Sequence, residues 1–71
     1  MKTMARPEAA AEARRLADAI ERNVGDVDAR RIEWDTFSTR NEAIWREAAT
    51  DPRVHSMVLG ILRNDPNWEE E

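Results

Sequence analysis

The stretch Arg31 to Ala49, R-I-E-W-D-T-F-S-T-R-N-E-A-I-W-R-E-A-A, carries two of the three tryptophans and the only phenylalanine, at spacings that change midway from strand-like to helical. Large rings bury more area than any aliphatic side chain, so Trp34, Phe37 and Trp45 are expected to organise the core. From Phe37 onward the residues Phe37, Asn41, Ile44, Trp45 and Ala48 fall on one face of a helix. A helix starting near Asp35 keeps Phe37 on that face, with Asp35 placed to accept the free backbone N–H of Phe37 or Ser38. A later start at Thr39, where Thr39 and Glu42 have capping-box spacing, would discard Phe37. Glu42 and Arg46 add an i,i+4 pair worth about 0.2–0.5 kcal/mol.

Upstream, Ala9, Ala13, Leu16, Ala17, Ile20 and Val24 recur at steps of three and four and predict helix one over about Pro7 to Val24. Pro7 suits the first position, Glu8 and Glu12 complement the positive end of the dipole, and Gly25 stands where a left-handed cap would fall. The stripe is mostly alanine, so a neighbouring helix can approach closely while each contact buries little area. Gly25 to Glu33 reads as a loop with room for one helical turn. Downstream, Asp51 and Pro52 cap and open helix three, which spans about Pro52 to Arg63, and Val54, Met57, Val58, Ile61 and Leu62 form its apolar stripe. Gly60 inside it costs roughly 1 kcal/mol relative to alanine, so it is either a close-approach point or an unpunished defect. The expected fold is all-α, a compact three-helix bundle forming a single domain over residues 1–71, with helix two at about 35–49 and an acidic tail at 65–71. Its expected core is Leu16, Ile20, Trp34, Phe37, Ile44, Trp45, Val54, Met57, Val58, Ile61 and Leu62.

A chain of 71 residues hides only about 60% of the surface its unfolded form exposes, which leaves a thin stability margin. It has no cysteine and one histidine, so neither a disulfide nor a structural zinc site can staple it. No apolar run of signal-peptide or membrane-spanning length follows Met1 and Lys2, and a cytoplasmic protein is expected. The net charge is −4, from 15 acids and 11 bases. Setting Asp65, Glu69, Glu70 and Glu71 aside leaves 11 acids facing 11 bases, a neutral body with an acidic end. Such a body lacks the basic stripe that supplies non-specific nucleic-acid affinity.

Catalytic patterns fail on geometry. His55, Ser56 and Asp51 are the residue types of a hydrolase, but neighbours on a helix point about 100° apart and Asp51 is better employed as a cap. Asp26, Asp28, Glu33 and Asp35 match only D-x-D of a calcium loop and are interrupted by Arg30 and Arg31, so a solvated loop is the better reading. No phosphate-cradling glycine pattern occurs. No catalytic residue, metal or cofactor is therefore assigned. Arg40 and Asn41 are side chains that read base edges, and they carry the alternative of a small DNA-binding regulator dimerising through helix three. Leu59 lies off the stripe of helix three, and Trp68 sits in the acidic tail; both either pack locally or anchor a partner.

The segment Arg31 to Trp45, with R-I-x-aromatic-x-x-F leading into N-x-x-apolar-Tryptophan, resembles small helical accessory proteins of phages and prophages in high-GC bacteria. The resemblance implies a factor that binds and blocks a host protein, CRISPR inhibitors among them. The functional expectation is thus a non-enzymatic protein-binding module acting by occlusion, anchored by Leu59 and Trp68, with Glu69, Glu70 and Glu71 steering it towards a basic target. Its partner would be a host protein. A homodimer with a seam at Leu59 and Gly60 is the structural alternative, and neither nucleic acid nor a membrane is an expected partner.

Overall fold

Gly25 does not end the first helix. In the computed structural model, which describes residues 5–70 without the side chain of Glu70, α1 spans Arg6–Asp28, α2 Trp34–Ala48 and α3 Pro52–Leu62. A short 3₁₀ turn, Trp68–Glu70, closes the described chain. No strand occurs among the described residues. Helix α1 passes through Gly25 because the stop lies further on: Arg30 takes the left-handed conformation (φ 61°), its N–H donates to the Val27 carbonyl, and the Arg31 N–H donates to the Asp26 carbonyl at 2.8 Å. That pair of bonds is a Schellman cap built on arginine instead of glycine, with a local strain of about 1 kcal/mol. The loop is correspondingly shorter than its turn-rich sequence suggests. Asn64 repeats the motif after α3 (φ 60°), with Asp65 N–H donating to the Gly60 carbonyl at 3.0 Å.

The other helix ends divide. Asp51 caps α3 as its sequence implies, its carboxylate accepting from the Arg53 N–H at 2.9 Å. Asp35 does not cap α2. Glu33 holds the N-cap position with extended backbone, its side chain bonded to no helix N–H, while Asp35 lies in the first turn, where its charge still favours the dipole. Thr39 is interior to α2, and its hydroxyl donates back to the Asp35 carbonyl at 3.0 Å.

The buried apolar residues are Ala9, Ala13, Leu16, Ala17 and Ile20 of α1, Ala48 of α2, and Val54, Met57 and Val58 of α3. Ile44, Trp45, Ile61, Leu62 and Trp68 pack on this cluster while partly exposed. Each buried Leu, Val, Ile or Met contributes about 1.5–3 kcal/mol and each alanine methyl about 0.8 kcal/mol, so the alanine stripe serves mainly to bring the helices close. All three helices pack together; α2 and α3 lean chiefly on α1 and touch each other less. Helix α2 runs antiparallel to α1, since Glu47 pairs with Arg15 while Phe37 meets Asn23. The bundle is flattened, with overall extents of 37 × 28 × 13 Å. No residue of α1 beyond Asn23 and none of α2 before Ala48 is fully buried, so the core occupies one end of the molecule.

This asymmetry corrects the expected core. Trp34 is 67% exposed and Phe37 is only half-buried. Phe37 shares the half-buried face of α2 with Asn41, Ile44 and Trp45, but the core does not extend to the corner where α1 ends. Asn23 takes the buried place that the α1 stripe gave to Val24: Asn23 is 3% exposed and Val24 40%. The Asn23 amide donates to the Phe37 carbonyl at 2.9 Å and reaches Asn41 Oδ1 at 3.5 Å. A carbonyl oxygen could not make the first contact, so the amide orientation is fixed by Phe37, and Oδ1 is left buried without a donor.

Candidate functional site

All three tryptophans lie outside the fully buried cluster, and the surroundings of two of them, Trp34 and Trp68, differ sharply. Trp68 is half-buried against the core. A Cβ built on Gly60 would stand 2.6 Å from Trp68 Cβ, so Gly60 is a close-approach point that exists to seat this residue. The Arg14 guanidinium lies 5.0 Å from the centre of a Trp68 ring and ion-pairs with Glu69, the following residue. Asp65 braces the turn, its carboxylate accepting from the Asn67 N–H at 2.9 Å. Of the contact residues chosen from the sequence, then, Trp68 and Glu69 are engaged on α1 and α3, and Leu59 is half-buried. The Glu70 side chain and Glu71 lie outside the described residues. Gly60, one half of the suggested self-association seam, is buried beneath Trp68.

Trp34 opens α2 and is largely in solvent. Its ring meets Phe37 at 5.0 Å between centroids with a 37° tilt, which fixes one side of the indole. The backbone beneath it is restrained by the Arg30 cap and by the Phe37 N–H donating to the Glu33 carbonyl at 3.0 Å. Glu33 and Asp35 flank Trp34 in the chain, both exposed, and neither carboxylate has a cationic partner among the described residues. Asp28 is exposed and unpaired too, while Arg30 is the one unpaired cation between Asp26 and Asp35. Asp26 itself is occupied, by Arg31 at 3.0 Å and Arg40 at 3.8 Å. The corner is thus an exposed aromatic pair beside carboxylates that have no cationic partner among the described residues.

Two open depressions lie next to it. One, of about 360 Å³, runs between α1 and α2 over Ala19, Ala43 and Ile44, with Arg22, Asp26 and Arg40 around it. A second, of about 410 Å³, lies on α2 and is lined by Asp35, Thr36, Thr39 and Arg40.

The remaining candidates are drawn into the fold. His55 meets Trp45 edge-on at 5.6 Å, joining α3 to α2, and Asp51 is committed to its cap. Arg40 and Asn41 do not present a free pair of base-reading groups: Arg40 faces Asp26, and half-buried Asn41 faces Asn23. Among the described residues no three His, Cys, Asp or Glu side chains stand close enough to share a metal ion. Arg15 bridges Glu12 at 2.6 Å and Glu47, and these hydrogen bonds, that to Glu12 foremost, raise its pKa above the ordinary arginine value. This is a clamp between α1 and α2. No described helix is long and apolar enough to cross a membrane.

Sequence reasoning placed Trp34 in the core. Glu33 and Asp35 on either side of it carry no signal against that, because neighbouring side chains on a helix diverge by about 100° and can stay in water while the ring is covered. The chain matches no protein-family profile, no curated protein and no solved structure.

Proposed function

We propose that this chain is a non-enzymatic protein-binding module, an accessory factor of a phage or mobile element that works in the host cytoplasm by occluding a host protein, and that it docks through the corner where α1 gives way to α2. The observation that carries the reading is Trp34, 67% exposed at the start of α2, where the chain is held by the Arg30 cap and by the Phe37 N–H bonded to the Glu33 carbonyl. An exposed indole contributes nothing to the core, and a tryptophan already held in place loses little entropy when a partner covers it; such residues dominate the energetics of protein interfaces. Phe37 beneath it supplies the rest of an aromatic anchor. The segment that resembles phage accessory proteins, Arg31 to Trp45, is the one that contains this anchor.

The test is site-specific photocrosslinking in cells of the host, with benzoylphenylalanine in place of Trp34 and, as a control, in place of Glu21 on α1. A discrete adduct from position 34 that position 21 does not give supports the docking corner. Equal, diffuse labelling from both positions, or none from either, removes it.

A further inference from the structure

The two tryptophan corners share a chemical pattern. At one, a tryptophan is followed by a carboxylate, Trp68-Glu69, and a guanidinium completes it: Arg14 lies over the ring at 5.0 Å and ion-pairs with the carboxylate. At the other, a tryptophan stands between two carboxylates, Glu33-Trp34-Asp35, and no guanidinium of the described chain fills the place. Arg30 and Arg31 are close in sequence, but neither lies over the Trp34 ring, and Arg31 is spent on Asp26 at 3.0 Å. From Asp28 to Asp35 the unpaired charges are three acids, Asp28, Glu33 and Asp35, against Arg30 alone. The positive end of α2 offsets part of that negative charge and leaves a surplus.

We propose that the Trp34 corner is a receptor for an arginine side chain on a protein partner, the guanidinium stacking on the open indole face and pairing with Glu33 or Asp35. The proposal rests on the docking reading above and names the chemistry of what docks. Arginine suits the site better than lysine, because a planar guanidinium can lie over the ring and pair with a carboxylate in one pose, as Arg14 does over Trp68 and, through one nitrogen, with Glu69. It can also add a second N–H to the same carboxylate. Phe37 backs the indole from the other side, which keeps the ring in position for that stack.

The probe is a short blocked peptide with one central arginine between leucines, titrated into the full chain and followed by NMR at the three indole N–H resonances, assigned with single Trp→Phe variants. A twin carrying citrulline in place of arginine keeps the shape and removes the charge. The arginine peptide should move the Trp34 resonance saturably while those of Trp45 and Trp68 stay put, and the citrulline twin should bind about tenfold more weakly. The double variant Glu33→Gln with Asp35→Asn, which leaves every described core contact intact, should weaken the arginine peptide by a similar factor and flatten its salt dependence. Equal binding of both peptides, saturable and lost in Trp34→Ala, overturns the arginine receptor and leaves the docking corner standing. No movement with either peptide, or a Trp34 shift that follows protein concentration alone, overturns it too, the last because a second copy then occupies the corner. If the photocrosslink at position 34 also fails, the docking reading falls with it.

Discussion

Trp68 and Trp34 are both half-wrapped by charge, yet one closes the molecule and the other leaves it open. The closed corner has a glycine beneath it, Gly60, an arginine over it, Arg14, and a capped turn leading into it through Asn64 and Asp65. The open corner has a cap of comparable geometry at Arg30 but no third element to lay across the ring. Local backbone geometry is thus nearly matched, and the difference comes from which elements reach each end of α1. The contrast shows that an exposed tryptophan here follows from how the helices are distributed, and is not a defect of its own segment.

Substituting the two rings should separate the corners most clearly. Trp68→Ala is expected to lower stability by about 2–3 kcal/mol, whereas Trp34→Ala should stay within about 0.5 kcal/mol of the parent, both read from urea unfolding midpoints at constant m-value. Comparable losses at both sites would erase the distinction. Next in size is Gly60→Ala, whose added methyl would lie 2.6 Å from Trp68 Cβ; it should cost about 1–3 kcal/mol and shift Trp68 emission to the red in a background with Trp34 and Trp45 replaced by phenylalanine. A neutral effect would mean that Trp68 does not sit on α3.

The other glycine gives the opposite sign. Gly25 lies inside α1 with nothing within 4 Å of a built Cβ, so Gly25→Ala should raise stability by about 1 kcal/mol, visible as a higher thermal midpoint. Destabilisation there would place the end of α1 at Gly25, as the sequence alone suggests. The smallest effect belongs to Arg14→Ala. Loss of one exposed ring contact and one exposed ion pair should cost about 0.5–1 kcal/mol and fade as salt rises. A loss independent of salt would assign the effect to the arginine stem packing on the ring instead.

Much of the fold was legible because three stripes at helical spacing sit between recognisable stops. Asp51-Pro52 marks the start of α3 correctly, since an aspartate cap and a first-turn proline need no tertiary help. Helix α1 overran its apparent stop because a glycine permits a left-handed cap without requiring one, and Arg30 took that conformation once the chain had to turn back. Asn23 was unreadable as a core residue because its worth depends on a backbone carbonyl of another helix, at Phe37, which no pattern within α1 announces. The site was less legible still. Leu59 and Trp68 were chosen as oddities of local pattern, but only the assembled bundle shows Gly60 receiving Trp68 and nothing receiving Trp34.

By itself the sequence determined the helical class, the number of helices, the alanine-lined approach of α1 and the aliphatic core of α3, because periodicity and cap chemistry are properties of a segment and its immediate neighbours. The tertiary structure alone decided which tryptophan is covered. Burial depends on what stands opposite a side chain, and a core gathered around Ala9 to Ile20 and α3 runs out before it reaches Trp34.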